Sequence, residues 1–286
     1  MTEDPTLEFH PRTPLDERRL GRAWQRAAAG MASEEGLLAR IGQQLMERLD
    51  EIRLTPARVL VVGDRTGLMA DRLQKRWPRA EICAAARVEW LARSPSSRRL
   101  PWQRRPWHLV AEPHRLPFAR GRFDLVISSM ALHWSRDLPA ALREMRRVLA
   151  PDRLLLFTVA GAGTLQELHS CLARMDQERH GHGWVRGPEL PSLSGLGELL
   201  AASGFVLPVV DRDRIPLPVP DLPFLLQQLR ALGAGNHMRQ RPAGLLGKGY
   251  FKRLEDAYQA SYRLADGRLA CTLELLFGHA WKGGAS

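Results

Sequence analysis

Two short loops carry the residue types that could bind and react. The first is Val62-Gly63-Asp64-Arg65-Thr66-Gly67, at the end of the apolar run Ala57–Val62. Glycines at such a bend let backbone N–H groups approach a ligand closely and let the chain turn into a helix. The second is Met130-Ala131-Leu132-His133-Trp134, after the apolar run Phe123–Ser128. Open α/β sheets bind ligands outside the carboxyl ends of their strands, so His133 and Trp134 stand where a substrate would lie. The alternative for them is an aromatic pair packed beneath a covering segment. Other reactive residue types lack a pattern. His169, His180 and His182 show no carboxylate–histidine spacing on one helix face, so no metal is expected. Cys83, Cys171 and Cys271 form no CxxC pair and leave one over if two were bridged, which supports neither a zinc site nor a disulfide framework and fits a reducing cytoplasm.

The elements that must position these loops alternate from residue 57 onward between short β runs and helices, the pattern of a parallel sheet covered on both faces. Strands are expected at Ala57–Val62, Ala80–Ala86, Trp107–Ala111, Phe123–Ser128 and Leu154–Val159, with Pro151 and Asp152 turning into the last. Helices are expected at Leu68–Trp77 and Leu138–Leu149 between them, and at Thr164–Gln177, Leu193–Ala202, Leu222–Leu232 and Phe251–Arg263 beyond. Two further strands, Phe205–Asp211 and Leu269–His279, complete the set; His279 and Trp281 belong with the last and read as structural. The organisation follows: a disordered tail at 1–14, then one domain at 15–286. Within it lie a helical N-terminal cover at 15–52, a core at 57–214, a helical insertion at about 215–266 entered through the proline-rich Ile215–Pro223, and a last strand at 269–281.

At 286 residues, 44% hydrophobic and 26% charged, the chain has the composition of a folded domain. No stretch approaches the roughly 18 uncharged apolar residues that cross a bilayer. Acids at 3, 4, 8, 16 and 17 argue against a signal peptide. The net charge of +11 concentrates between Arg87 and Arg122, where nine arginines face only Glu89 and Glu112. Such a segment is a solvated surface or a means of steering an acidic partner. RNA binding has little support, because no aromatic-interleaved basic motif is present.

More specific are Leu116-Pro117-Phe118, Phe123-Asp124-Leu125-Val126-Ile127-Ser128-Ser129, Ala131-Leu132-His133-Trp134, Asp137-Leu138-Pro139-Ala140-Ala141-Leu142 and Arg147-Val148-Leu149-Ala150-Pro151. Further along come Gly163-Thr164-Leu165-Gln166-Glu167-Leu168, Leu229–Asn236 and Gly278-His279-Ala280-Trp281-Lys282. On these residues, over roughly 20–282, the chain resembles class I S-adenosylmethionine-dependent methyltransferases, and among them the malonyl-acyl-carrier-protein O-methyltransferases of biotin synthesis. It is also similar to a mitochondrial assembly factor for respiratory complex I. The resemblance implies a Rossmann-like α/β sheet with helices on both faces and a small helical insertion. It implies S-adenosylmethionine as cofactor, held by Gly63, Asp64, Gly67, Ala86, Glu112 and Met130, substrate contacts from His133 and Trp134, and an acidic acyl carrier protein as partner. Ser128-Ser129-Met130-Ala131 stands where amino-methylating relatives carry Asn or Asp with two prolines and an aromatic, which favours an oxygen acceptor.

The cofactor motifs also depart from that family. Its first motif has an acid where this chain has Val61 and a middle glycine where it has Arg65; the ribose-binding carboxylate becomes Ala86, followed by Arg87. Losing a charge-assisted contact costs about 2–3 kcal/mol, and a side chain at a close-approach glycine about 1–3 more. Together these amount to roughly a hundredfold in affinity. Asp64 and Glu89, each three positions after a missing carboxylate, are candidates to compensate, and Arg87 is a candidate phosphate contact. In the N-terminal cover Trp24, Arg26, Ala27 and Ala28 match, with Met31 at a position the family gives to tyrosine. Two functions stand open: the O-methyltransferase, and a cofactor-degenerate relative acting as a binding or assembly protein.

Overall fold

The structure is a computed structural model that describes residues 14–31, 36–87, 104–241 and 247–284, the side chains of 28–31 and 248 excepted. Residues 1–13 of the tail expected at 1–14, Glu89, the Met31 side chain and the arginines at 93, 98 and 99 lie outside the described residues. The chain begins with α1 (Glu17–Met31) and α2 (Leu37–Asp50). Then follow β1 (Arg58–Val62), α3 (Leu68–Arg76), β2 (Glu81–Ala86), β3 (Trp107–Val110), β4 (Phe123–Ser129), a 3₁₀ turn at Leu132–Trp134, α4 (Leu138–Val148) and β5 (Leu149–Ala160). The remainder is α5 (Gln166–His180), α6 (Leu193–Ala202), β6 (Val206–Pro216), α7 (Leu222–Ala231), α8 (Lys248–Tyr262) and β7 (Thr272–Lys282).

Seven strands form one sheet in the order β3-β2-β1-β4-β5-β7-β6. The first five run parallel, and β7 enters antiparallel between β5 and β6. The central strands are apolar on both faces because helices cover both. One core unites α2, α3 and one sheet face through Ile41, Leu45, Leu73, Val59 and Leu125. The other unites α4, α6 and the opposite face through Leu142, Met145, Leu196, Leu60 and Phe157. Strand order reverses between β1 and β4, so the crevice there is where this class of sheet binds ligands.

Two elements differ from expectation in instructive ways. Pro151 and Asp152 do not end a connection; β5 begins at Leu149 and passes through them. Asp152 takes φ +54°, and the pairing with β4 shifts register there, so the turn signals are spent on a bulge. The start of the expected proline-rich linker is instead the end of β6, because Ile215 and Pro216 pair with Leu273 and Thr272 of β7. Pro216 is tolerated on this edge strand, where a missing N–H donor faces no further neighbour. The insertion packs α7 and α8 onto α5 through Leu222, Leu225, Leu254, Tyr258, Leu168 and Cys171. Asp221, the N-cap of α7, accepts a hydrogen bond from the Phe224 N–H at 2.7 Å, and Asp137 caps α4 in the same way at Ala140.

Candidate active site

The loop after β1 is held by its own residues. Gly63 has φ +77°, and a Cβ there would stand 2.1 Å from the Cβ of Ala131, so the β1 and β4 loops touch at the one residue type that allows it. The Ser128 hydroxyl also donates to the Val62 carbonyl at 2.8 Å. The buried Asp64 carboxylate accepts from the Thr66 N–H and hydroxyl, the Gly67 N–H and the Ala70 N–H. It thereby caps α3 from outside the helix, a favourable place for an anion. Burial pushes its pKa above the ordinary value, against the pull of those N–H groups. With four donors already on it, Asp64 is turned toward α3. Gly67 serves as the N-cap of that helix. On the α2 side of the loop the free space is ≈ 30 Å³, too little for more than a water.

The ends of β2 and β3 are different. Ala86 pairs with Val110, and its carbonyl accepts the Ala111 N–H at 3.0 Å, which brings Arg87 and Glu112 side by side. Arg87 Nη2 lies 2.8 Å from Glu112 Oε2, with the Arg87 side chain only 6% exposed. The two form an ion pair, yet both Nη atoms of Arg87 and Oε2 of Glu112 are buried without a hydrogen-bond partner among the described residues. Burial outweighs their mutual attraction, lowering the Arg87 pKa and raising that of Glu112.

Arg65 does not project into open space. Its side chain is buried, with Nη1 donating to the Leu232 carbonyl at 3.1 Å and the guanidinium 4.6 Å from the centre of the Trp24 ring. It therefore ties the β1 loop to α1 and to the end of α7. Gly233, at φ +65°, makes this junction possible, because a Cβ there would meet Trp24 Cδ1 at 2.8 Å. Burial lowers the Arg65 pKa to about 10, against the pull of Asp64, and leaves it charged at neutral pH.

Beneath that junction opens a cavity of ≈ 590 Å³ between the carboxyl edge of the sheet and the insertion. Met130, His133 and Trp134 line it together with Arg65. Met130 stands at φ +51°, its N–H donating to the Thr158 carbonyl at 2.9 Å. His133 accepts the Ala160 N–H on Nδ1 at 3.4 Å, which assigns its proton to Nε2. Burial, reinforced by the Arg65 charge, holds its pKa at about 3, so the ring is neutral. Trp134 meets Trp24 edge-to-face at 6.4 Å and His237 at 5.6 Å, serving both cavity wall and cover.

The structure thus gathers Gly63, Asp64, Gly67, Met130, His133 and Trp134 at the β1 and β4 ends, and Ala86 with Glu112 at the β2 and β3 ends. Sequence reasoning missed the Leu232 carbonyl, His237, and the pairing of Arg186 in the cavity wall with the buried Asp176. A lone carbonyl or an Arg–Asp pair ten positions apart carries no local signal. Among the described residues no cluster could hold a metal ion, and no helix is long and apolar enough to cross a membrane.

The chain belongs to the methyltransferase family: a family described as "Methyltransferase domain" matches residues 34–208. It is 35% identical to the malonyl-[acyl-carrier protein] O-methyltransferase of Halorhodospira halophila, over 93% of this chain and 88% of that protein. To the enzyme of the same name from Gallionella capsiferriformans it is 33% identical, over 94% and 91%. Among solved structures, the YcgJ protein of Bacillus subtilis superposes with a TM-score of 0.58 at 17% identity, over 85% of this chain and 99% of that one. The [4+2]-cyclase SpnF superposes at 0.53 with 16% identity, over 96% and 98%. These confirm a Rossmann-like methyltransferase fold; the cyclase shows that the fold alone does not set the reaction.

Proposed function

We propose that this protein is an S-adenosylmethionine-dependent O-methyltransferase acting on the free carboxylate of a malonyl group carried by an acyl carrier protein. Full-length relatives of that name support the reading, and the observation that carries it is the ≈ 590 Å³ cavity opening beside Met130 and His133, with no Asp or Glu among the described residues of its wall. The orphaned polar atoms of Arg87 and Glu112 fit the cofactor's nucleoside: Glu112 would accept from its ribose or amine donors and Arg87 would donate to its oxygens. Gly63, Gly67 and Met130 would border its amino-acid end. When bound, the cofactor would supply an electrophilic sulfonium methyl for transfer to an acceptor oxygen.

What this chain contributes is position and dryness. A malonyl carboxylate is already ionised at neutral pH, so no general base is required. His133, neutral and oriented by Ala160, presents Nε2–H to the site. Trp24, Trp134 and the α7 end exclude water. Site residues therefore orient the acceptor, and the +11 charge of the chain would steer an acidic carrier. The three buried free cysteines suit the cytoplasm as the place of action. Incubation with labelled S-adenosylmethionine and malonyl-acyl carrier protein should give a methyl ester. Cofactor binding by calorimetry without ester would overturn the acceptor assignment.

A further inference from the structure

Arg65 is a cation in an unusual setting. It replaces a glycine of the family motif, its side chain is more than nine-tenths buried, and no carboxylate pairs with it among the described residues. Asp64 beside it is turned away toward the N–H groups of Thr66, Gly67 and Ala70. Of the guanidinium donors, the described residues use Nη1 alone, on Leu232. A guanidinium offers five N–H donors in a planar fork matched to a carboxylate. The cavity it borders is lined by Arg40, Arg65, Arg186, His133 and His169 and, among the described residues, by no acid. Arg186 is already satisfied by Asp176, and Arg40 is exposed on α2. Burial, with the Arg65 charge on His133 and the Arg186 charge on His169, holds both histidines below their ordinary pKa. A buried charge that Asp64 attracts but does not pair with directly is costly until a counter-ion docks on it.

Resting on the reading above, we propose that Arg65 is the positioning residue for the acceptor's carboxylate: the methyl-accepting malonyl group enters the cavity and docks its free carboxylate on the spare donors of Arg65, beside His133. The residue that interrupts the cofactor motif thus becomes the acceptor anchor at the junction of the two sites. One carboxylate oxygen on the guanidinium leaves the other free to attack, and the tether to Leu232 and Trp24 fixes the fork. A cofactor also carries a carboxylate, on its amino-acid end, and the experiment has to separate the two.

The test compares the full chain with Arg65→Gln and Arg65→Lys. Calorimetry with monomethyl malonate, which like the thioester has one free carboxylate, and with dimethyl malonate, which has none, reads the anchor without turnover. The wild type should bind the first and not the second, and Arg65→Gln should weaken that binding roughly 10- to 100-fold. With malonyl-acyl carrier protein, Arg65→Gln should raise the acceptor KM by a similar factor and leave kcat within a few-fold, and Arg65→Lys should restore most of the loss. S-adenosylhomocysteine and 5′-methylthioadenosine should bind all three proteins alike. Loss of S-adenosylhomocysteine affinity alone, with acceptor KM and 5′-methylthioadenosine binding unchanged, would move the carboxylate to the cofactor and overturn the assignment. A lowered Tm with every affinity intact would overturn it too, leaving Arg65 a structural tether. Wild type that binds monomethyl malonate through Arg65 yet forms no ester would instead sink the proposed reaction and spare the anchor.

Discussion

The carboxyl edge of the sheet has two halves that treat their polar groups oppositely. At the end of β1, Asp64 is saturated by four donors from its own loop and helix. At the ends of β2 and β3, Arg87 and Glu112 form an ion pair yet leave three buried polar atoms without hydrogen bonds among the described residues. Saturated groups define a scaffold; buried groups left open cost about 1–3 kcal/mol each and mark where a ligand completes the structure. The altered loop is therefore occupied by its own hydrogen bonds, and the open polar groups stand at a neighbouring strand end.

The largest effect that could break this contrast is expected at Gly63. Gly63→Val must either displace Ala131 or leave a positive φ that a branched residue resists, at a cost of more than about 3 kcal/mol. Urea denaturation should show a sharply lowered midpoint or no folded protein, and a near-neutral result would mean that the two loops are not locked together.

Next in size is a pH effect at His133, between the halves. Its folded pKa lies near 3 and its unfolded value near 6.5. The stability it contributes is full above pH 6.5. It is lost as pH falls toward 3, because the unfolded chain takes up a proton that the folded one refuses. Between pH of about 7 and about 5 the loss should reach about 2 kcal/mol. His169, His237 and His279 shift in the same direction and add to the slope. His133→Gln should flatten the dependence measured by denaturation at the two pH values, and an unchanged slope would rule out a neutral buried ring.

Glu112→Gln sharpens the open half. It should weaken S-adenosylhomocysteine binding about tenfold by calorimetry. A drop in Tm without any change in affinity would show that the pair serves the fold alone. Smallest of all, Lys252→Ala breaks an exposed i,i+4 pair with Asp256 on α8 and should move stability by only a few tenths of a kcal/mol. A larger change in the denaturation midpoint would show that surface charges on the insertion matter more than the buried ones at the sheet edge.

Much of the scaffold was legible. The apolar runs that became β1, β2 and β4 need only a period and a length, and Asp137 with Pro139 announces the start of α4 by local chemistry. The placing of β7 between β5 and β6, antiparallel, was not, since pairing partners as far apart in sequence as Arg153 and Lys282 leave no mark in either segment. Within the site, His133 and Trp134 could be placed at a strand end, whereas the neutrality of His133 depends on Ala160 and Arg65 closing around it.

The order of amino acids by itself determined that this is a methyltransferase sheet with a bend at Gly63, a histidine beyond β4 and an altered cofactor motif. Those properties are local, set by side-chain period, backbone freedom and neighbouring residues. Only the tertiary structure decided what the alterations do. Arg65 meets Leu232 across 167 positions, and Arg87 meets Glu112 only because β2 and β3 lie side by side. Whether a charge obstructs a pocket or furnishes it depends on where its partners are, and folding alone brings those partners together.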